Sequence, residues 1–497
     1  MPLSGAFRIG RLGSRSAPRR AATLQTAGLG LALLVVAFVL GLLCVFIGDA
    51  AAVKPVFFIG LPLALLVGFA FVISPKALVL AILLTRAGLD SVFNEAKFSS
   101  IGGLGGLVNL AIILLAAMLI ASDPKRVPRA AWMVWLPYMA MLFIGLGYSP
   151  DLLPNVRLFL GQLATMAVFL LAFYLVDDWV SMRRMLKLVV VSSFPVVVYT
   201  LVCMALGKTS GGLDDVSAVS NRYAGPFPHP NILAFYVVLV MGILLYLWRR
   251  KGSTAGWLVQ SGVMGYMLLL LVLLFATKTR SAWVSAGALF FVYGLFVERR
   301  FLVYLALVGM AAMLVPEVRD RVLALGQGNE VVQNARLNSF AWRKLLWTEA
   351  LNWMDAKRYF LGYGAGAFMV NSPHFFSLSM RTQIGAHSVP VQLFFELGAV
   401  GMTAYLLMFW RSMKLVLCVH QADRTLAVVA GALVLSYVLI SFSDNMLQYL
   451  VFNWYFWFTV GAVCSVAAQQ ARDGKEERFV TGMPTPQFRG YRIKPRY

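Results

Sequence analysis

Long apolar runs dominate the sequence and constrain its fold more than any other feature. Windows of about 17 to 25 apolar residues recur along most of the 497 residues, and each can cross a ~30 Å hydrocarbon core as a helix. The runs are continuous and do not alternate in polarity, so they predict helices rather than strands. Only 13% of the residues are charged, about half of the usual share, which excludes an ordinary soluble protein.

We therefore predict an all-α polytopic membrane protein with about fourteen transmembrane helices. The predicted spans are 24–47, 55–73, 76–93, 103–121, 130–147, 156–176, 185–206, 230–248, 257–276, 281–297, 301–315, 388–410, 425–443 and 447–468.

The basic residues of the chain report its topology. The formal net charge is +22, and Lys and Arg crowd short loops such as SDPKRVPR and WRRKG. The positive-inside rule then puts both termini in the cytoplasm, with a basic N-terminus at 1–23 and a basic tail at 469–497. We expect no nucleic-acid partner. The apolar run 24–47 is too long for a signal-peptide core, so it is interpreted as the first membrane helix.

One large hydrophilic segment divides the predicted spans. Helices 1–11 occupy 24–316, a large loop on the outer face with short amphipathic helices occupies 317–387, and helices 12–14 occupy 388–468. Residues 337–355 predict an aromatic-rich helix, either lying at the membrane interface or packed on the bundle as a lid. The run GYGAGAF lacks the GK[ST] ending of a nucleotide loop and predicts a close turn. The four cysteines are far apart, so we predict neither a disulfide framework nor a metal site.

Two basic residues stand where the positive-inside rule disfavours them. Lys278 and Arg280 lie in TKTRSAW, a short turn on the outer face. Either an anionic ligand such as a lipid diphosphate compensates them, or they reach outer-leaflet headgroups. Arg222 and Asn231 lie in NRYAGPFPHPN, just before another apolar span and at the predicted outer membrane surface, and no carboxylate close in sequence is an obvious partner for Arg222.

Arg86 and Asp90 are four residues apart inside a predicted span. They share a helix face, so either they neutralise each other or they face a polar cavity.

His387 begins the apolar helix after the large loop. Its neutral imidazole can take a proton from a sugar hydroxyl, as general-base catalysis requires. Arg222, Arg280, Arg343 and Arg381 can converge on the same outer surface. Glu396 is nine residues further on, roughly on the opposite side of the helix, and is not an obvious partner of His387.

Four motifs occur in order: NRYAGPFPHPN, KTRSAW, LGYGAGAF and AHSVPVQLFFELG. Over about 220–410 they resemble the bacterial O-antigen ligase and polymerase superfamily. Ser388 stands where family members commonly have Asn after the histidine. The resemblance implies a multi-pass glycosyltransferase of the bacterial inner membrane that uses an undecaprenyl-diphosphate-linked glycan on the periplasmic side. It also implies that no nucleotide sugar, metal or other cofactor takes part.

Residues and resemblance together predict an inverting polymerase of lipid-linked repeat units for an exopolysaccharide or O-antigen. His387 and Arg280 are the predicted catalytic residues. The predicted diphosphate and glycan contacts are Arg222, Lys278, Arg343, Arg381, Arg86 and Asn231. Expected partners are the lipid-linked donor, an acceptor glycan, the lipid bilayer and a chain-length regulator.

Other functions remain open. Within the superfamily, the alternatives are a ligase that transfers the glycan to lipid A core and a protein O-oligosaccharyltransferase. A transporter or flippase of lipid-linked sugar is the alternative from a different class, although the sequence has none of the internal repeats typical of transporters.

Overall fold

The computed structural model describes residues 73–95, 104–209, 222–251, 256–323 and 339–481. The predicted spans 24–47 and 55–73, the latter except for its last residue, lie outside the described residues, as do the basic N-terminus and the end of the tail. The chain divides into a unit Met1–Leu78, of which only the beginning of one helix is described, and a unit Val79–Tyr497.

The described residues form α-helices and short 3-10 turns, with no strand among them. The helices are α1 Pro75–Thr85, α2 Asp90–Glu95, α3 Leu104–Ser122, α4 Arg129–Leu146, α5 Leu152–Leu175, α6 Trp179–Ala205, α7 Pro230–Lys251, α8 Trp257–Ala276, α9 Arg280–Phe296, α10 Arg300–Met313, α11 Pro316–Leu323, α12 Ser339–Trp353, α13 Ala367–Phe375, α14 Val389–Cys418, α15 Arg424–Ser441 and α16 Leu450–Thr481.

The prediction of an all-α polytopic membrane protein is confirmed. In the described part of the chain, nine helices are long and apolar enough to cross a membrane. Two further predicted spans correspond to the shorter apolar helices α9 and α10, and the total of fourteen stays a prediction. Large apolar side chains such as Leu107, Val198, Leu258 and Leu307 are exposed on α3, α6, α8 and α10, as lipid-facing surfaces require.

The core of the bundle is aromatic and lies between α4, α5 and α16. The Trp135 ring meets the Trp457 ring edge-on with centroids 4.8 Å apart, and Phe169 meets the same Trp457 ring at 5.8 Å. All three side chains are buried. Such rings bury large apolar areas and prefer this edge-to-face geometry, so α16 is held in the middle of the bundle.

The predicted span 76–93 is not one continuous helix. The Tyr455 hydroxyl accepts from the Ala87 backbone N–H at 3.1 Å and donates to the Leu83 carbonyl at 2.6 Å. It thereby replaces the bond that these two backbone groups would make to each other in a helix, and a side chain inserted in this way breaks the helix. Apolarity alone predicted a full span, but α1 ends at Thr85 and α2 starts at Asp90.

The glycine-rich run packs against a break in α14. Gly398 has φ +66° inside that helix, and a Cβ on it would lie 2.3 Å from the Phe360 backbone. Gly364 has φ +100°, and its Cβ would lie 2.3 Å from the Tyr148 carbonyl oxygen. The Gly364 N–H donates to the Glu396 carbonyl at 2.8 Å. The run is therefore a close turn on the bundle, since only glycine fits these positions without strain.

Helix α12 packs on the bundle as a lid, the second of the two alternatives for this segment. Leu346, Ala350 and Met354 are buried in one cluster with Phe368 and Phe395. The helix is also anchored by the Trp347 Nε1–H, which donates to the Ala386 carbonyl at 2.7 Å. Because Ala386 is the residue before His387, α12 lies over the end of the bundle at which His387 is located. We name this end of the bundle the His387 end.

Candidate active site

His387 lies between the large loop and the first residue of α14. Its backbone φ is +49°, a left-handed conformation that is uncommon outside glycine and is found at strained functional positions. The Trp342 ring of α12 meets the imidazole edge-on with centroids 5.9 Å apart. Contacts from the lid therefore hold both the His387 ring and the preceding carbonyl group.

The imidazole of His387 is kept neutral by its surroundings. The pKa of His387 is lowered to about 4. The largest cause is burial, followed by the positive charge of Arg343 and then by the electrostatic effect of His229. Desolvation and a nearby cation both disfavour the protonated ring. At neutral pH the ring thus has one nitrogen able to accept a proton.

A carboxylate lies in the loop between α15 and α16. Asp444 is buried and accepts hydrogen bonds from Asn231 Nδ2 at 2.8 Å and from the Tyr449 hydroxyl. Burial raises the pKa of Asp444, and burial followed by the Asp444 charge raises the pKa of Tyr449. Tyr449 is therefore the protonated donor of this pair.

Asn231 connects Asp444 to Arg222. One terminal nitrogen of Arg222 donates to Asn231 Oδ1 at 2.6 Å and to Thr279 Oγ1 at 2.9 Å, and Arg222 Nε donates to the Thr277 carbonyl at 2.9 Å. The chain Arg222–Asn231–Asp444 thus joins the start of α7, the α8–α9 turn and the α15–α16 loop. Charge-assisted bonds of this kind fix both position and orientation.

Arg343 reaches the same loop from the lid. Its Nη1 donates to the Ser443 carbonyl at 2.5 Å. Its positive charge lowers the pKa of His387 and opposes the rise in the pKa of Asp444. Arg343 therefore connects the imidazole and the carboxylate electrostatically.

The α8–α9 turn carries the two predicted basic residues. Lys278 has φ +51°, and Arg280 is the first residue of α9. The side chains of both are half-buried, and they flank Thr279, which Arg222 contacts. The structure thus brings Arg222, Asn231, Lys278, Arg280, Arg343 and His387 to the same end of the bundle.

Two of the predicted site residues lie elsewhere or stand apart. Arg86 is buried in an ion pair with Asp90 at 2.5 Å, and its guanidinium lies 5.7 Å from the centroid of the Trp454 ring. It belongs to the broken helix and not to the cluster around His387. Arg381 is exposed with φ +63°, on the loop that precedes His387.

Sequence reasoning did not single out Asp444, which the structure places in this cluster. The signal available was a lone carboxylate in SFSDNMLQY, a short polar segment between two spans. No group of three or more His, Cys, Asp or Glu side chains within the described ranges is arranged to hold a metal ion.

The segment from within α8 to within α14 can be compared with known families. Residues 265–406 match the O-antigen ligase family. This match confirms the resemblance to the O-antigen ligase and polymerase superfamily. The matched segment contains Lys278, Arg280, Arg343, Arg381 and His387, whereas Arg222, Asn231 and Asp444 lie outside it. No curated protein matches the chain.

Proposed function

We propose that the protein is an inverting glycosyltransferase that polymerises undecaprenyl-diphosphate-linked repeat units at the periplasmic face of the bacterial inner membrane. One observation carries the proposal: a neutral, half-buried imidazole beside Arg343 and the Arg222–Asn231–Asp444 chain, in a protein whose residues 265–406 match the O-antigen ligase family. The donor carries its own activated leaving group, so the transfer requires no nucleotide sugar.

Lys278 and Arg280 bind the donor diphosphate in this proposal. Arg222 braces their turn through Thr277 and Thr279, so the two cationic groups are presented from a fixed backbone. Arginine suits this task because its planar fork contacts two phosphate oxygens at once. Arg343 and Arg381 extend the basic surface towards the glycan.

An apolar groove beside this turn suits the isoprenoid chain of the donor. It has a volume of about 670 Å³ and runs between α7, α8, α9 and α10. Trp283 in the first turn of α9 and Phe275 in the last turn of α8 line it, next to Lys278 and Arg280. A lipid with a diphosphate headgroup would then have its charge at the basic turn and its chain in the groove.

The chemical step is a direct displacement. His387 accepts the proton of the acceptor hydroxyl as its oxygen attacks the anomeric carbon of the donor sugar. The bond between that carbon and the diphosphate oxygen breaks, and the electron pair leaves with the diphosphate, whose charge the basic residues stabilise. Attack opposite the leaving group inverts the anomeric centre. The imidazolium then returns its proton to the released lipid diphosphate.

Asp444 acts as a positioning residue in this scheme. It holds Asn231 and Tyr449 through the two oxygens of its carboxylate, and Asn231 in turn holds Arg222. Its negative charge also offsets Arg343, which would otherwise oppose formation of the imidazolium on His387.

Purified protein in nanodiscs, supplied with a lipid-diphosphate-linked repeat unit alone, tests the polymerase proposal. Longer lipid-linked glycans support polymerisation. Transfer only after lipid A core or a protein acceptor is added supports one of the other two transferases, and movement across the bilayer with an unchanged glycan supports a transporter. We favour the polymerase because the predicted span count and the large loop between α10 and α14 are typical of that branch.

Paired variants test the assigned residues. His387→Ala and Arg280→Ala should each lower the transfer rate by on the order of 10²-fold or more, as loss of one aimed charge-stabilising group does. Matched controls are His374→Ala, on the exposed side of α13, and Arg300→Ala, at the start of α10. Full activity of a correctly inserted His387→Ala protein would refute the assignment.

A further inference from the structure

A second, polar cavity lies at the His387 end, separate from the α8–α9 turn. Its volume is about 360 Å³, and its walls come from α5, the start of α13, α14 and the α15–α16 loop. Gly385 and Ala386 line it immediately before His387, and Asn445 lines it immediately after Asp444. The cavity is therefore next to the residue that the proposed mechanism uses as the general base, because residues adjacent to His387 in sequence line it.

Two residues that line this cavity each carry a buried side-chain oxygen that has no hydrogen-bond partner within the described part of the protein. Gln392 is 7% exposed and Asn445 is 6% exposed. Gln392 Nε2 donates to Glu396 Oε1 at 3.2 Å, which fixes the amide so that its Oε1 remains without a donor. Asn445 Oδ1 likewise has none. Buried polar atoms are rarely left in this state, so donors from a ligand or from water are expected.

The neighbouring carboxylate is already engaged by the backbone. Glu396 accepts from the N–H groups of Gly366 and Phe368 at the start of α13 and from Gln392. The lining residues thus include the carboxylate of Glu396, two amides and one cation, Arg157. The opposite charges offset each other, and this mixture of acceptors and donors favours a neutral ligand with several hydroxyl groups. A sugar ring with free hydroxyl groups has this chemistry, and the volume lies within the range of small-ligand pockets.

The position of the cavity distinguishes acceptor from donor. None of its lining residues comes from the start of α7 or from the α8–α9 turn, where the donor diphosphate is proposed to bind. It meets the proposed active site only at the segments around His387 and Asp444. Displacement with inversion requires the hydroxyl to attack the anomeric carbon from the side opposite the departing diphosphate. Separate sites for the acceptor and the donor diphosphate are compatible with this geometry.

We propose that this cavity, between Gln392 and Asn445, binds the terminal sugar of the acceptor glycan. The inference rests on the proposed glycosyl transfer and assigns Gln392 and Asn445 as determinants of acceptor binding. Met369, which is 46% exposed on α13, lies at the rim of the same cavity.

Steady-state transfer assays with each substrate varied separately test the proposal. Met369→Trp fills the cavity from an exposed position, and Asn445→Ala removes one unpartnered acceptor. We expect each to raise the KM for the acceptor by about five- to tenfold, with the KM for the donor unchanged. Asn445→Ala does so because about one hydrogen bond to the sugar is lost, and Met369→Trp does so because the indole occupies space that the sugar needs. Leu378→Trp and Asn371→Ala are the matched controls, because neither residue lines the cavity and Leu378 is 45% exposed.

A binding measurement separates failure of this inference from failure of the proposed function. The probe is the oligosaccharide repeat unit hydrolysed from its lipid carrier, detected by saturation-transfer NMR on the full chain in nanodiscs. Binding that Met369→Trp weakens and Leu378→Trp retains supports the cavity even if wild-type protein transfers no glycan. Active wild-type protein whose acceptor KM is unaffected by both cavity variants, or whose donor KM changes instead, overturns the inference.

Discussion

The pH dependence of transfer is the sharpest test of the state of His387. Its pKa lies at about 4 against an ordinary value of 6.5, a difference of roughly 3 kcal/mol in favour of the neutral ring. At pH 5.5 an ordinary imidazole is only about one-tenth neutral, whereas this one is almost entirely neutral. A general base must be neutral, so kcat/KM should stay near its maximum down to about pH 5 and fall towards pH 4.

Substitution of Arg343 tests this explanation, because its positive charge is, after burial, the second cause of the lowered pKa of His387. Arg343→Met removes a cation beside the ring, makes protonation easier and should move the acid limb of kcat/KM upwards. Arg343→Lys retains the charge and should move it less. The pH profile of kcat reports the pKa of His387 in the substrate complex. We expect kcat to begin falling at a higher pH than kcat/KM, because the negative charge of a bound diphosphate offsets the positive charge of Arg343.

The assay is initial-rate transfer to a fluorescently labelled acceptor between pH 4 and 8. Unfolding must be followed over the same range. Because the ring is less easily protonated in the folded state, the unfolded chain binds more protons between pH 6.5 and about 4, and the free energy of unfolding falls as the pH is lowered through that window. If the acid limb of kcat/KM of the wild-type protein lies near pH 6.5 while the protein stays folded, the reacting base is not the His387 imidazole described above.

Three further predictions address other contacts. Asp444→Leu leaves the Asn231 and Tyr449 donors buried without an acceptor and should lower the free energy of unfolding by about 1–3 kcal/mol for each; an unchanged midpoint in denaturant titration would contradict the network. Gly398→Ala should lower the melting temperature markedly, because its Cβ would lie 2.3 Å from the Phe360 backbone, whereas Gly262→Ala, where a Cβ meets nothing, should not. Arg280→Lys should retain more transfer activity than Arg280→Ala, and equal rates would argue that this charge does not contact the diphosphate.

Part of the candidate site was predictable because its residues violate a local rule. Lys278 and Arg280 are basic residues in a short loop that the positive-inside rule assigns to the outer face, and His387 is a polar residue at the start of an apolar helix. The structure brings both segments to one end of the bundle. Such positions stand out in a membrane protein, where the apolar background makes each charged group costly.

Asp444 and Asn445 could not be found in this way. Tyr449 is five residues from Asp444 in the same loop. Asn231 at the start of α7 and Gln392 on α14, however, lie far from Asp444 and Asn445 in the sequence, and no spacing along the chain relates them. Arg86 gave the opposite result. The sequence singled out this charge and left open whether it faces a cavity or forms an ion pair, and the structure pairs it with Asp90. The break in the predicted span has a separate cause, the Tyr455 hydroxyl inserted between the Ala87 N–H and the Leu83 carbonyl.

The sequence by itself determined the class of protein, the positions of most helices and the surface on which its basic residues gather. It could do so because hydrocarbon imposes one requirement, long apolar helices with charges at their ends, that can be evaluated locally. Only the tertiary structure decided which polar groups meet: the coupling of Arg343 to His387, the chain from Arg222 to Asp444, and the polar cavity beside them. Those pairings depend on how helices distant in sequence pack, and side-chain hydrogen bonds a few ångströms long are set by that packing alone.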